Sequence, residues 1–305
     1  YIWGGTRLRD EYGKKCDYDK VAESWELSCH KDGPSVVADG EYKGLTLNEY
    51  IEKAGKGVLG KNCERFENFP ILIKLIDAKD NLSVQVHPDN DYAMRVEGEY
   101  GKTEMWYVVD CDEGATLLYG FKHEITKEEF ARRIADNTLL EVTNAVPVKK
   151  GDVFFIKSGT LHAIGKGILI AEIQQNSNTT YRIYDYGRVG KDGKPRELHV
   201  NKALDVTKLA PAEQYPETPV EKKDGYDIKL LSKCEYFTTY RVNVETKAEL
   251  DADENSFNSI LVLEGEPVIS GGETVSAKKG ESVFISAGTG KYTVEGKCTF
   301  VLTKI

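Results

Sequence analysis

A gapless internal repeat places the strongest constraint on how this chain folds. Residues 151–165, with the sequence GDVFFIKSGTLHAIG, align without gaps on residues 280–294, with the sequence GESVFISAGTGKYTV. Gly151 and Gly159 both fall on glycines of the second copy, and glycine is the residue that a tight β corner needs for its backbone. The repeat therefore predicts that one set of fold elements occurs twice in the chain.

Short strand patterns occupy most of the chain after residue 70. They are rich in β-branched and aromatic residues and are bounded by Asp, Asn, Gly and Pro, which is typical of β-strands. They cover residues 71–76, 82–87, 105–109, 153–156 and 168–173, and nearly all of the tail 226–305. Short strands joined by glycine turns favour a sandwich or a barrel, so the chain is expected to be mainly β.

Two segments are expected to be helical. Residues 46–49 and residues 126–129 both have the pattern Thr-x-x-Glu, in which the hydroxyl and the carboxylate close free amide groups at the start of a helix. The pattern predicts helices at about residues 44–55 and, as a small helical insertion between strands, at about residues 126–137.

The chain is long enough for two domains. A polar, proline-containing stretch at about residues 208–225 has the composition of a linker. We therefore predict a first domain of residues 1–210 and a second domain of residues 225–305, each with its own apolar core.

Composition excludes several classes of function. The formal net charge is -9 and no basic run occurs, which argues against nucleic acid as a partner. No apolar run approaches the roughly 18 residues that a membrane-spanning helix needs, and no signal-peptide pattern is present. The six cysteines are scattered without a Cys-x-x-Cys pair, as in a cytoplasmic protein with reduced thiols.

Four polar residues on strand patterns form a candidate metal site. Gln85 and His87 alternate with valines, so their side chains lie on one face of a strand. Glu104 opens a second strand pattern, and His162 follows the corner at Gly159. Two imidazoles, a carboxylate and an amide oxygen suit a divalent ion, although a histidine on a strand is often only a hydrogen-bonded structural residue.

The repeat separates these two interpretations for His162. In the second copy its position is occupied by Lys291, while the glycines on both sides of the corner are kept. The corner itself therefore does not require a histidine, which favours a functional role for His162.

These residues carry a pattern that resembles type I mannose-6-phosphate isomerases of the short bacterial form. The most specific part is Gln-x-His-Pro followed by Lys-x-Glu and then the Gly-Thr-Leu-His corner, and softer similarities extend over most of the chain. The matching segments are 2–5, 23–28, 69–77, 82–89, 101–104, 159–162, 172–176 and 181–182. The resemblance implies two cupin-type jelly rolls, of which the second is degenerate and lacks the metal site.

The resemblance also implies a cofactor and a reaction. One zinc ion per chain would be held by Gln85, His87, Glu104 and His162, and mannose 6-phosphate would be converted to fructose 6-phosphate. Moving a carbonyl between C1 and C2 passes through a cis-enediol whose oxygens become negative, and zinc can stabilise such oxygens as a Lewis acid. The expected partner is thus a hexose 6-phosphate, and the protein is expected to be a monomer or a homodimer.

Four further residues match positions of the family's site, and a fifth, Ser83, lies two residues before Gln85 on the same strand face. Arg182 would contact the enediol or sugar oxygens through paired hydrogen bonds, and Glu172 is a candidate proton carrier. Lys102 and Lys74 are candidates for binding the phosphate or moving protons, and Ser83 is a candidate substrate contact. The sequence leaves the catalytic base open among Glu172, Lys102 and Lys74.

Two rival functions are disfavoured, and three other histidines are expected to have no role in the site. A non-catalytic sugar-phosphate sensor is disfavoured because simple binding does not need a Lewis acid, and an iron-dependent cupin oxygenase usually has a histidine-rich ligand set. His30, His123 and His199 lie in polar loops or at element ends, where most histidines are solvated.

Overall fold

The computed structural model describes residues 1–190 and 193–305. Within these residues the strands are β1 (Glu23–Leu27), β2 (Ile71–Ala78), β3 (Val84–Val86), β4 (Glu104–Cys111), β5 (Thr116–Phe121), β6 (Thr143–Pro147), β7 (Val153–Ile156), β8 (His162–Ala163), β9 (Ile168–Gln175), β10 (Tyr181–Tyr184), β11 (Val220–Lys223), β12 (Tyr226–Lys233), β13 (Thr238–Val244), β14 (Lys247–Ala252), β15 (Asn258–Gly265), β16 (Val268–Gly271), β17 (Glu273–Ser276), β18 (Ser282–Ile285), β19 (Gly290–Glu295) and β20 (Cys298–Lys304). The helices are α1 (Arg7–Asp10), α2 (Leu47–Ala54), α3 (Asn90–Val96), α4 (Lys127–Ala135) and α5 (Val200–Val206), with 3₁₀ turns at Lys56–Leu59, Lys61–Cys63 and Leu139–Glu141. The mainly β fold is confirmed.

The predicted helix starts are confirmed. At α2 the Thr46 side chain accepts a hydrogen bond from the Glu49 amide and the Glu49 side chain accepts one from the Thr46 amide, and Gly55 follows the last helical residue. At α4 the Thr126 side chain accepts from the Glu129 amide. No helix among residues 1–190 and 193–305 is long and apolar enough to span a membrane.

The internal repeat extends to the order of the strands. One five-stranded sheet has the order β1-β2-β9-β4-β7, and a six-stranded sheet repeats it as β12-β13-β20-β15-β18 with β11 added at one edge. The partner sheets have the orders β10-β3-β8-β5-β6 and β14-β19-β16-β17, in which β14 corresponds to β3 and β19 corresponds to β8. The chain therefore contains the same double-sheet topology twice.

The four corner glycines adopt the backbone conformation that the repeat predicts. Gly151 and its counterpart Gly280 have φ of 91° and 87°, and Gly159 and its counterpart Gly288 have φ of 85° and 79°. These values lie in the left-handed region, which a residue with a Cβ enters only at an energetic cost.

The chain divides into two compact units. The first comprises residues 1–7, 17–23 and 75–215, and the second comprises residues 8–16, 24–74 and 216–305. Both units thus contain discontinuous pieces of chain, whereas the composition of the sequence predicts a single division, near residues 210–225. The stretch expected to be a linker also contains the short strand β11.

The first unit buries apolar side chains on both faces of one sheet. Trp106 and Ile170 of one sheet pack against Leu117 of the other in a core between the sheets. On the opposite face, Val84 and Val86 of β3 belong to a second cluster with residues of α4 and α5. Because side chains alternate along a strand, Gln85 lies on the inner face of the sandwich.

Candidate metal centre

The register between β10, β3 and β8 brings three predicted site residues together. Gln85 of β3 lies directly opposite His162 of β8 and, on its other side, directly opposite Arg182 of β10. Residues opposite each other in an antiparallel pair point to the same face. The inner face of this sheet therefore carries an amide, an imidazole and a guanidinium side by side.

A buried cluster of His87, Glu104 and His162 lies at the centre of the site. Their ligand atoms all lie within 4.8 Å of one another, and the three side chains are 1%, 0% and 0% exposed. His87 Nε2 lies 3.2 Å from Glu104 Oε1, and His162 Nε2 lies 3.9 Å from Glu104 Oε2. Among the described residues this is the one group of three or more such side chains with metal-binding spacing.

Backbone carbonyls fix the orientation of both imidazoles. His87 Nδ1 lies 3.0 Å from the Thr179 carbonyl oxygen, and His162 Nδ1 lies 2.8 Å from the Thr160 carbonyl oxygen. Because a carbonyl only accepts, each Nδ1 carries the proton and donates, which leaves the Nε2 lone pair directed into the cluster. Within the described residues, the buried Nε2 of His162 has no hydrogen-bond partner.

Burial keeps both imidazoles neutral. It lowers the pKa of His87 to about 3, with the neighbouring Lys102 acting in the same direction. Burial also lowers the pKa of His162, against the attraction of Glu104. A metal ion requires the neutral imidazole, so burial favours the binding state of both side chains.

The carboxylate of Glu104 is ionised although it is fully buried. Burial alone would raise its pKa, but the Lys102 ammonium holds the pKa of Glu104 well below its usual value. Lys102 Nζ lies 2.7 Å from Glu104 Oε1. Burial opposes the charge of Lys102 as well, yet Glu104 and Glu172 raise its pKa, so the ammonium is retained.

Trp106 links two carboxylates of the site and was not identified from the sequence. Its indole Nε1 donates to Glu104 Oε2 at 3.0 Å and to Glu172 Oε2 at 2.9 Å. The signal was present, since Trp106 lies two residues after Glu104 and shares its strand face, and a buried indole N–H needs an acceptor.

Arg182 is held beside Gln85 by its neighbours. Its Nη1 donates to the Glu197 carbonyl oxygen at 2.9 Å, and its backbone amide donates to His199 Nδ1 at 3.2 Å. Burial lowers the pKa of Arg182, with Arg196 acting in the same direction, but a guanidinium remains charged in proteins. His199 is half-buried, so its ring supports Arg182 instead of being simply solvated.

Ser83, Lys74 and His30 are all buried. Ser83 is buried just before β3, and Lys74 is buried in β2 with its Nζ 4.9 Å from the centroid of the Trp25 ring. Lys74 belongs to the second unit, so its role as a substrate ligand stays a prediction, as does that of Ser83. The expectation that His30 is solvated is wrong, because it is 6% exposed and lies edge-on to Trp25.

The donor set fits a divalent metal ion. Such an ion is bound well by two neutral imidazoles whose Nδ1–H groups donate to backbone carbonyls, together with an ionised carboxylate. His162 Nε2, a buried nitrogen without a hydrogen-bond partner among the described residues, would gain a partner in the metal. Fold and site together define a duplicated β-sandwich protein of the cupin class with a buried candidate metal centre.

Comparison with known proteins places the chain in a family. The family described as "Phosphomannose isomerase type I, catalytic domain" matches residues 1–114, and the family described as "Mannose-6-phosphate isomerase, cupin domain" matches residues 227–305. The chain belongs to the type I mannose-6-phosphate isomerase family.

Relatives and a solved structure agree with this assignment over the whole chain. The mannose-6-phosphate isomerase ManA of Bacillus subtilis strain 168 is 39% identical over 306 residues, covering 100% of this chain and 95% of that protein. The mannose-6-phosphate isomerase of Streptococcus mutans is 40% identical over 291 residues, covering 93% and 88%. A crystal structure of the Bacillus subtilis mannose 6-phosphate isomerase superposes with a TM-score of 0.94 at 38% identity, covering 100% of this chain and 96% of that one.

Proposed function

We propose that this protein is a zinc-dependent isomerase that interconverts mannose 6-phosphate and fructose 6-phosphate through a cis-enediol. The observation that carries the proposal is the buried cluster of His87, Glu104 and His162, in which the histidines present neutral Nε2 atoms and the carboxylate is ionised. The family membership supplies the substrate, because the relatives are named for this reaction.

Gln85, His87, Glu104 and His162 are the residues that would hold the zinc ion. Two neutral imidazoles, an amide oxygen and one carboxylate leave the loaded site with net positive charge. When bound, zinc supplies Lewis-acid stabilisation of the negative charge that develops on the sugar oxygens during enolisation.

Glu172 is the proton carrier in this proposal. Isomerisation requires one group that removes a proton from C2 or C1 and returns it to the neighbouring carbon. Lys102 is unsuited to accept that proton, because Glu104 and Glu172 raise its pKa and its Nζ is already 2.7 Å from Glu104. Glu172 is 3% exposed, lies outside the ligand set and has its Oε2 held by Trp106.

Lys102 and Arg182 supply positive charge around the reacting carbons. The ammonium of Lys102 is buried and retained, so it can offset negative charge on a substrate oxygen without moving a proton. Arg182 lies opposite Gln85 in the sheet, and its planar guanidinium suits paired hydrogen bonds to sugar oxygens. Within the described residues, Arg182 Nε is buried without a hydrogen-bond partner, so this donor is available.

In this proposal the second sandwich is a degenerate copy that carries no metal. Lys291 takes the position of His162, and Asp251 lies opposite Lys291 as Gln85 lies opposite His162. Asn258 takes the position of Glu104, since Glu104 pairs with Ile156 and Asn258 with Ile285, which are equivalent in the repeat. Asn258 Nδ2 donates to the Tyr292 hydroxyl at 2.8 Å, so the interior position is occupied by a neutral pair.

Proton NMR of mannose 6-phosphate in D₂O tests the proposal. The protein is assayed as purified, after chelation, and after zinc is restored. We expect conversion to fructose 6-phosphate that stops on chelation and returns with zinc. We also expect deuterium to appear at C1 or C2 of the sugar. Absence of conversion when zinc is bound in a one-to-one ratio would refute the proposed reaction.

A further inference from the structure

Trp106 occupies an unusual position between the candidate metal ligand Glu104 and the candidate proton carrier Glu172. The indole is 0% exposed, and its single N–H lies 3.0 Å from one carboxylate oxygen and 2.9 Å from another. The ring also lies edge-on to His162, with the ring centroids 5.3 Å apart. The Trp106 side chain therefore makes three contacts in the site. Its N–H contacts the candidate ligand Glu104 and the candidate proton carrier Glu172, and its ring contacts the candidate ligand His162.

The chemistry of the indole makes it a suitable link. An indole N–H is a donor only and stays neutral, so it can hold a carboxylate oxygen without becoming a competing acid or base. A hydrogen bond from a neutral donor to an ionised carboxylate is stronger than one between neutral groups. Sharing one rigid donor fixes the positions of two carboxylate oxygens relative to each other.

The second sandwich provides an internal comparison for this arrangement. Ile260 takes the position of Trp106, since it lies two residues after Asn258, the counterpart of Glu104. Trp106 pairs with Glu172 across β4 and β9, and Ile260 pairs with Leu302 across β15 and β20. Both aliphatic side chains are buried, at 0% and 2% exposure.

The comparison separates a packing role from a polar role. The same sheet position is filled by an aliphatic pair in one sandwich and by an indole and a carboxylate in the other. The topology therefore accepts an apolar pair here, and burying Glu172 beside Trp106 has no justification in packing alone, since a buried carboxylate is costly without a partner. The indole and the two carboxylates occur together in the first sandwich, and none of the three occurs at the equivalent positions of the second.

We infer that Trp106 is a positioning residue that fixes Glu172 relative to the metal ligand Glu104. The inference rests on the proposed function in assigning proton transfer to Glu172. According to this inference, turnover requires the indole N–H of Trp106 and not only the bulk of its ring, and the hydrogen bond exists whether or not metal is bound.

The kinetic test compares Trp106→Phe, which removes the N–H and keeps an aromatic ring, with Trp3→Phe as a matched control. Trp3 is 5% exposed and belongs to the same apolar core as Trp106. Trp106→Phe is expected to lower kcat about 10- to 100-fold, as loss of a partner that orients a site residue does, with KM changed less than about threefold. Trp3→Phe is expected to leave both constants near wild type, and equal effects of the two substitutions would overturn the inference.

Metal affinity provides a readout that does not depend on turnover. Because Trp106 also holds Glu104 Oε2, Trp106→Phe is expected to raise the Kd for zinc about 10-fold, measured by competition with a chromophoric chelator. Trp3→Phe is expected to leave this Kd unchanged. An unchanged Kd in Trp106→Phe would contradict the part of the inference that concerns Glu104.

A spectroscopic test keeps the inference falsifiable if Trp106→Phe does not fold. The chain has three tryptophans, so a ¹⁵N–¹H spectrum of zinc-free protein has three indole signals, which Trp3→Phe and Trp25→Phe help to assign. Glu172→Leu, which copies Leu302 of the second sandwich, is expected to shift the Trp106 signal upfield and leave the other two in place. An unmoved Trp106 signal would refute the hydrogen bond. If wild type has no isomerase activity, the proposed function fails while this spectrum still decides the geometry.

Discussion

At the scale of the residue, the site depends on which nitrogen of each histidine carries a proton. His87 and His162 both donate Nδ1–H to a backbone carbonyl, at 3.0 Å and 2.8 Å. Since burial also lowers their pKa values, neither ring must lose a proton before it binds a cation. The backbone carbonyls therefore orient both rings with an unprotonated Nε2 towards the site in the metal-free protein.

This arrangement predicts that His162→Ala loses metal and activity while the fold remains. One of few ligands is removed, so zinc content measured by atomic emission is expected to fall from about one per chain to near zero. Activity is expected to fall in parallel, and the far-UV circular dichroism is expected to stay close to wild type because the apolar cores are untouched.

Lys291→Ala is the matched control for this substitution. Lys291 occupies the position of His162 in the second copy of the repeat and is exposed, so its removal is expected to leave zinc content and activity unchanged. Full zinc content and full rate in His162→Ala would show that the metal is not held where we propose.

The division of roles between Glu172 and Lys102 gives a second prediction at this scale. Glu172→Gln keeps the shape of the side chain and removes its basicity, so exchange of the C1 and C2 protons with D₂O is expected to fall at least 100-fold. Zinc content is expected to be retained, because Glu172 is not a ligand in the proposal. Deuterium exchange at the wild-type rate in Glu172→Gln would assign the proton transfer to another group.

At the scale of the element, the corner that carries His162 has a near-copy that carries no ligand. Gly159 and Gly288 both have positive φ, 85° and 79°, but their surroundings differ. A Cβ on Gly159 would lie 2.9 Å from the Val206 carbonyl oxygen, whereas a Cβ on Gly288 would have nothing within 4 Å. The Gly159 amide also donates to the His87 carbonyl oxygen at 2.8 Å, which connects the corner to a second ligand.

Gly159→Ala and Gly288→Ala are therefore expected to differ in their effect on the metal. Both substitutions carry the strain of positive φ, about 1 kcal/mol, and only Gly159→Ala adds a steric contact beside two ligands. We expect Gly159→Ala to weaken zinc binding about 10-fold and Gly288→Ala to leave it unchanged, measured by chelator competition. Similar zinc affinities in the two variants would mean that the corner does not control the ligand geometry.

The elements also show what the sequence predicts and what it does not. The starts of α2 and α4 were predicted because they depend on local hydrogen bonds between Thr and Glu. The two copies of the corner were predicted because their glycines, which adopt positive φ, recur at the same spacing in the sequence. Helix α3 was not predicted, although Asp89 caps it by accepting from the Tyr92 amide. The contact of Trp106 with Glu172 depends on the pairing of β4 with β9, which the spacing along the chain does not specify.

At the scale of the whole molecule, the duplication provides two equivalent interiors, of which one contains buried ionised side chains and the other contains a neutral polar pair. The same strand order provides both interiors. In the first unit it holds two carboxylates, two imidazoles and an ammonium; in the second, an asparagine and a tyrosine take the central position. Ionisable groups buried in this way make stability depend on pH, so the first unit is expected to respond to acid more strongly.

The zinc-free protein is expected to lose stability in acid. The pKa of His87 is about 3 in the folded protein, against 6.5 for an unperturbed histidine, so the unfolded chain binds an extra proton between these values. The free energy of unfolding is therefore expected to decrease as the pH falls below 6.5, by about 2 kcal/mol from His87 at pH 5. His162 and His199, whose pKa values burial also lowers, act in the same direction, whereas Glu104, with a lowered pKa, contributes mainly below pH 4.5.

Urea unfolding of the chelated protein at pH 7.5, 6.5 and 5.0 measures this dependence. His87→Gln is expected to reduce the loss of stability between pH 7.5 and pH 5.0, since it removes one of the protonatable groups, and the exposed His123 provides the matched control as His123→Gln. Hydrogen exchange followed by mass spectrometry is expected to show that acid increases the exchange rate mainly in residues 75–215. This unit contains the three histidines whose pKa values burial lowers, which are His87, His162 and His199. A loss of stability that is unchanged in His87→Gln would contradict the assignment of a neutral, buried imidazole to this position.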